Sequence, residues 1–413
     1  MVVLVLAAVL AATGSASAAT VKREENCNGD AQCYPNLIFL AAAGEENRLT
    51  AERRGDRYVL RDSGARIALD ELSSCAPEGP NQVSCAVPSS LTVVLNDGDD
   101  TYSGLGGRIS GDSGNDRVTS GGEVDGGAGD DVLIGTAGLD YLTGGSGRDE
   151  LRAGAGDDRV IDGSPEADTD LIDAGPGRDE AWYTSDADYE VDLTRAAPQG
   201  IAGEGDTLLA AEDVVVSRGR AVITGTDGPN EVLLFSRGHS LDARGGDDQI
   251  TTDDEGGSRI RAGSGNDVVV LNADRQSNST PDDLACGPGI DRIELMETNL
   301  LTPIASDCER VEFGGGPTYR LRHRLPSYRA AVLRVRASGC ARCRTPLTIR
   351  RARRGKPVGR PLARARARGR RWVAIRLNGY GRRLLRNRRS VVTYVEARRS
   401  FPYEFLFRLR APR

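Results

Sequence analysis

An aspartate recurs every nine residues between Gly126 and Ile161, and oxygen ligands at a fixed interval are what a hard cation requires. The four segments read GGAGDDVLI, GTAGLDYLT, GGSGRDELR and AGAGDDRVI without a break. Each has Gly at the fourth place (Gly129, Gly138, Gly147, Gly156) and Asp at the sixth (Asp131, Asp140, Asp149, Asp158). The eighth place is always apolar: Leu133, Leu142, Leu151, Val160. A glycine-rich run of six turns tightly because Gly takes positive φ without a Cβ clash. The three residues that follow form a minimal strand with one side chain inward. Two turns and two strands close one coil of eighteen residues, so alternate repeats share a face. Asp131 then lies over Asp149, and Asp140 over Asp158, about 4.8 Å apart. Such carboxylates repel by about 1 kcal/mol per pair in water. A Ca²⁺ ion between coils, seeking six to eight oxygens at about 2.3–2.6 Å, reverses the sign.

The GGxGxDxUx pattern is that of calcium-binding parallel β-structures, and the chain resembles the hemolysin-type (RTX) calcium-binding repeat family. The resemblance implies an all-β fold, a parallel β-roll or β-solenoid, with Ca²⁺ as its cofactor. It also implies that the carbonyls of Gly126, Ala128, Gly135, Ala137, Gly144 and Ser146 complete the shell around the sixth-place aspartates. Looser copies extend the pattern: NDGDDTY with Asp100, GDSGNDRV with Asp116, AGPGRDEA with Asp179, ARGGDDQI with Asp248, AGSGNDVV with Asp267 and CGPGIDRI with Asp291. Asp100, Asp116, Asp179, Asp248 and Asp267 therefore join the candidate ligands, with a metal-free coil as the other reading of these outer copies. Asp248 and Asp267 stand on isolated coils, where a stacked partner of the same chemistry could be lacking. The step from Asp116 to Asp131 is fifteen residues, Asn230 takes the Asp place in GTDGPNEVL, and Pro176 and Pro288 replace a flexible turn residue.

Around this stretch the 413 residues read as several domains. Val2 to Ala12 is apolar but too short to span a bilayer. Ala16-Ser17-Ala18 follows as a small-residue cleavage site, so residues 1–18 read as a secretory signal peptide, though without a basic n-region. No other apolar stretch reaches transmembrane length, and the expected location is extracellular, free or associated with the cell envelope. Residues 19–92 alternate short apolar runs with turn residues and read as a β-structured cap; this segment also resembles the lead-in to such repeats in secreted actinobacterial-type proteins. A cap shields the unpaired edge of an open coil. Residues 93–316 are the expected solenoid, with metal-free coils between Glu180 and Val222 where the Gly/Asp pattern fades. Eight cysteines fall into four local pairs, Cys27/Cys33, Cys75/Cys85, Cys286/Cys308 and Cys340/Cys343, which fits disulfides outside the cell. For Cys340 and Cys343 a zinc or redox role is the alternative, but zinc needs two further ligands.

The composition inverts at Pro317. Residues 317–413 hold 30 Lys and Arg against Glu396 and Glu404, a charge of +28, so that residues 1–316 carry −34 within a total of −6. Alternating runs such as Val373-Ile375-Leu377 suggest a basic, Ig-like β-sandwich. Its arginines could meet anionic cell-wall polymers or glycans, or simply be a solvated surface. Aromatics are too few there to form a stacking platform for bases, which argues against nucleic acid.

Catalytic signals are sparse. Gly111-Asp112-Ser113-Gly114 imitates a nucleophile loop, but a triad needs a histidine base, and His239 and His323 stand alone in the sequence. No HExxH occurs. The sequence thus reads as a secreted, non-enzymatic calcium-binding protein, structural or adhesive, whose folding depends on the ion. A polysaccharide lyase or epimerase on the same scaffold is the alternative. It would show a deep groove with converging Asp, Arg and Tyr side chains.

Overall fold

The computed structural model describes residues 18–27, 33–70, 74–162, 168–194, 200–201, 205–252, 257–272, 282–296, 303–304, 307–308 and 310–313, then strands between 319 and 410 by their backbone. Every regular element among them is a β-strand, and the repeats pair in parallel. The chain is an all-β parallel β-roll, divided into two compact units at residues 1–132 and 133–413. Among the described residues no helix is long and apolar enough to cross a membrane.

In the first unit Ala19–Cys27 and Cys33–Leu40 form an antiparallel hairpin. Ser90–Val94 joins it in parallel, followed by Gly107–Ser110 and Gly122–Ala128. A second sheet starts from the hairpin of Arg48–Arg54 with Arg57–Asp62, and adds Thr101–Gly104 and Arg117–Thr119 in parallel. Arg57–Asp62 also pairs with Gln82–Ala86, and a disulfide links Cys75 to Cys85. Val93, Ile109 and Val124 stack from one sheet, and Leu49, Tyr102 and Val118 from the other, all buried. One inward apolar residue per strand suffices because each coil's neighbours cover it above and below.

In the second unit the principal sheet runs in parallel through Tyr141–Ser146, Arg159–Asp162, Glu180–Tyr183, Asp213–Val216, Glu231–Leu234, Gln249–Thr252, Val268–Asn272 and Arg292–Met296. Glu150–Arg152, Leu171–Asp173 and Thr207–Leu209 form a second sheet. Asp188–Asp192, Arg220–Thr224, Ser240–Asp242, Arg259–Arg261 and Asp283–Ala285 form a third. Tyr141 faces Arg159 and Glu231 faces Gln249, each a step of eighteen residues. The faded stretch after Glu180 still forms strands, since Glu180–Tyr183 pairs with Asp213–Val216. Cys286 is bonded to Cys308. Further on, Arg344–Arg353 pairs antiparallel with Lys356–Arg368 and with Ser390–Ala397, which pairs with Tyr403–Arg410.

Residues 1–17, holding most of the expected signal peptide, and Cys340 and Cys343 lie outside the described residues. Cys27 and Cys33 face each other across the first hairpin, with side chains outside the description.

Candidate metal centre

The turns owe their shape to glycine. Gly129 and Gly156, at the fourth place, have φ of 133° and 152°. There the N–H of the fourth residue donates to the third-place carbonyl of the next coil: Gly114 to Ala128 at 2.8 Å, Gly156 to Pro176 at 3.1 Å. The third-place N–H donates back to a second-place carbonyl, Ala128 to Asp112 at 2.9 Å and Ala155 to Thr136 at 2.9 Å. Proline at 176 and 288 gives up this third-place N–H but keeps the accepting carbonyl, which takes the N–H of Gly156 and Gly265.

The first-place glycine leaves room for oxygen. A Cβ on Gly111 would lie 2.2 Å from Asp116 Oδ2 and 2.3 Å from the Gly126 carbonyl. On Gly135 it would meet the Ala153 carbonyl at 2.1 Å, and on Gly144 the Oδ2 of Asp149 at 2.4 Å. Gly126, Gly135 and Gly144 hold this first place, and Ala128, Ala137 and Ser146 the third.

The sixth-place aspartates form rows in which each carboxylate serves two purposes. Oδ1 accepts the backbone N–H of the equivalent residue one coil earlier. In the first unit Asn47 donates to Asp100 at 2.5 Å, Asp100 to Asp116 at 2.8 Å and Asp116 to Asp131 at 2.7 Å. In the second unit Asp140 donates to Asp158 at 2.8 Å, Asp158 to Asp179 at 2.7 Å and Asp179 to Glu212 at 3.1 Å. Further along, Asn230 donates to Asp248 at 2.9 Å, Asp248 to Asp267 at 3.0 Å and Asp267 to Asp291 at 3.1 Å. Asp248 and Asp267 therefore have stacked partners of their own chemistry, contrary to their isolated look in the sequence. The eighteen-residue spacing from Asn230 to Asp248, and the parallel register of their strands, close the row.

Oδ2 is the other half. In Asp100, Asp116, Asp158, Asp179, Asp248 and Asp267 this atom is buried without a hydrogen-bond partner, in side chains at most 2% exposed. Burial, and next to it the neighbouring carboxylates, pushes Asp100 and Asp248 up to about 7 and Asp116 and Asp179 up to about 6, against the opposing pull of the backbone N–H each accepts. Buried anionic oxygens without donors are costly, and a row of them beside carbonyls is the donor set of Ca²⁺. The residues present fit that ion.

Another row has the same backbone logic with His239 and Ser258 in place of acids before it reaches Asp282. Ala221 N–H donates to His239 Nδ1 at 3.1 Å, His239 N–H to Ser258 Oγ at 3.1 Å and Ser258 N–H to Asp282 Oδ1 at 2.9 Å. Oδ1 acceptance is thus architectural, and the Oδ2 orphans are what distinguish the acidic rows.

Asp140 departs from its neighbours. Its Oδ2 accepts the N–H of Thr136 at 2.6 Å and the Thr136 hydroxyl at 3.1 Å. Asn230 repeats this with Thr226, whose N–H donates to Oδ1 at 2.8 Å. Both belong to G-T-x-G turns, and the fourth-place glycines Gly138 and Gly228 are not in the left-handed region. Sequence reasoning also missed Asp170 and Asp206, which continue the row from Asp149: Asp149 N–H donates to Asp170 at 2.7 Å and Asp170 N–H to Asp206 at 2.8 Å. With Asp168 they bring carboxylate oxygens within 4.8 Å of one another. The only signal was Asp170 two residues before the apolar Ile172, at a step of 21 residues from Asp149.

Residues 125–160 match the family model of the RTX calcium-binding nonapeptide repeat in four copies. These repeats bind calcium ions, and the rest of the chain lies outside the match. No curated protein matches the chain.

Proposed function

We propose that this is a secreted, non-enzymatic calcium-binding protein, a structural or adhesive component of the cell envelope or extracellular matrix, whose rolled coils are completed by the ion. The observation that carries the reading is the set of buried, unpartnered Oδ2 atoms on Asp100, Asp116, Asp158, Asp179, Asp248 and Asp267. Together with Asp131, Asp140 and Asp149 and first-place carbonyls such as Gly126, they would hold Ca²⁺ between coils. The ion supplies the positive charge the rows lack, and the chain supplies rigid spacing and exclusion of water. Residues 317–413, at +28, offer a surface for anionic wall polymers or glycans. The test is circular dichroism of the full chain against calcium in chelated buffer. A strand signal that grows cooperatively with calcium is expected, and a chain equally folded in excess chelator removes the dependence on the ion.

The enzymatic alternative looks for converging polar groups in a groove. An open depression of about 430 Å³ is lined by Asp186, Asp188, Arg220, Phe235, Ser236 and Arg237. There Asp188 is bound through both oxygens by the Arg220 guanidinium. Ser236 donates to the Gly219 carbonyl and lies 3.1 Å from His239 Nε2. Because His239 Nδ1 accepts the Ala221 N–H, Nε2 carries the proton and donates to Ser236. This Ser–His pair has its proton in the wrong place for a base, and these groups favour the structural reading.

A further inference from the structure

The principal row of the second unit changes character between Asp179 and Asp248. Asp179 is followed by Glu212, and then by Asn230 where an aspartate is expected. The Asn230 amide is used up within the protein. Its oxygen accepts the N–H of Thr226 at 2.8 Å, and its nitrogen donates to the Glu212 carbonyl at 2.5 Å and the Thr226 hydroxyl at 3.1 Å. An amide N–H₂ repels a metal ion where a carboxylate oxygen would ligate it. Beside it, Arg178 projects onto the buried Asp213, with Nε 2.8 Å from Oδ2 and Nη2 3.2 Å from Oδ1. The same Nη2 lies 3.8 Å from Glu231. Paired through two nitrogens, this guanidinium is a fixed, organic cation in a coil whose neighbours have orphaned carboxylate oxygens.

We propose that Arg178 and Asn230 form a metal-free joint that divides this row into two ion-binding blocks, Asp140–Asp179 and Asp248–Asp291, which fill independently. The inference rests on the reading of the rows as calcium sites. Within a block, successive coils lie about 4.8 Å apart, so a carboxylate between two ions couples them directly. From Asp179 to Asp248 the row passes through Glu212 and Asn230, three steps or roughly 14 Å. Over that distance the Coulomb coupling falls to about a third of its value between adjacent coils, and no aspartate is shared across the joint. Coupling by contact therefore stops there, and coupling by charge is weakened, with the fixed Arg178 cation standing in the gap.

The experiment is a calorimetric calcium titration of the full chain with bound ions counted at saturation. Asp158→Asn is expected to weaken one group of sites at least tenfold and leave the other within about twofold. Asp267→Asn should do the reverse. The Arg178→Gln/Asn230→Asp double variant, which restores a carboxylate and removes the built-in cation, should bind at least one more ion per chain. In that background Asp158→Asn should weaken both groups. Should Asp158→Asn already weaken every site in the natural chain, the joint does not exist. An unchanged ion count in a double variant folded by circular dichroism also overturns it. If the natural chain takes up no calcium, the metal reading of the rows falls first, a result distinct from calcium binding without two blocks.

Discussion

Thr136 folds its hydroxyl and its N–H onto Oδ2 of Asp140, at 3.1 and 2.6 Å, while Asp158, one coil on in the same row, leaves Oδ2 without a partner. Two repeats that conform equally to one consensus thus differ in what their carboxylates have left to offer a cation.

Asp158→Asn should therefore cost far more calcium affinity than Asp140→Asn. Loss of groups that merely support a metal ligand costs roughly 10–100-fold. A direct ligand should reach the upper end of that range, and the Thr136-held carboxylate the lower end or less. Calorimetry on the two single variants and the double variant measures both values and their coupling. Equal losses in the two single variants would show that Thr136 releases its hold when the ion arrives.

The two turn types should also answer differently to alanine. At Gly129, φ is 133° and a Cβ would lie 2.0 Å from the Gly114 carbonyl, so Gly129→Ala should destabilise by more than about 2 kcal/mol. At Gly138 nothing lies within 4 Å and φ is outside the left-handed region. Gly138→Ala should be neutral or stabilise by about 0.4–1 kcal/mol through the unfolded chain. Thermal unfolding in calcium separates them, and a severe Gly138→Ala defect would contradict this account of the turn.

Without calcium the acidic rows should make the fold acid-stabilised. Burial and then neighbouring carboxylates raise Asp100 and Asp248 to about 7 and Asp179 to about 6, from 3.8. A group whose folded value is raised contributes stability that is complete below the unfolded value and lost as pH rises through the folded one. In chelator the chain should melt higher at pH 5 than at pH 8. Calcium, competing with these protons, should release them on binding near pH 6.5, which calorimetry in buffers of different ionisation enthalpy detects. A chelated chain more stable at pH 8 would refute the protonated rows.

His239 should oppose this trend. Burial holds its imidazole below the ordinary 6.5, against a smaller upward pull from Ser236. Because the folded value is lowered, stability is fully present above 6.5 and declines as pH falls toward the folded value. In saturating calcium His239→Asn, which retains an acceptor for the Ala221 N–H, should lose stability at pH 8 and close the gap to the natural chain by pH 5. A constant difference in melting temperature across that range would exclude His239 as the source.

Much of this could be read in the residues. The nine-residue interval, the apolar eighth place and the stacking of Asp140 on Asp158 follow from the alternation of tight turns and short strands. Asp170 and Asp206 escaped because insertions lengthen the coils to 21 and 36 residues, and a fixed period cannot follow a loop of variable length. The stacking of Asp248 on Asp267 was obscured for the same reason, at nineteen residues. Thr136 was invisible because its hydroxyl competes with the ion through a rotamer, which a pattern of residue types does not specify. Asn230 was visible as a departure, but Arg178 was not, since its partner Asp213 lies 35 residues away.

Each row also has a grammatical direction. At the buried sixth place the amide of one coil is answered by the side chain of the next. At the exposed fifth place Asn115, Arg178 and Asn266 donate back to Asp99, Asp157 and Asp247 of the coil before. Trimming a row from its early end exposes a carboxylate, which water solvates readily. Trimming from the late end strands an amide in the interior. Because the forward bonds are the buried ones, they favour assembly of the second unit spreading backward from the coil fastened by Cys286 and Cys308.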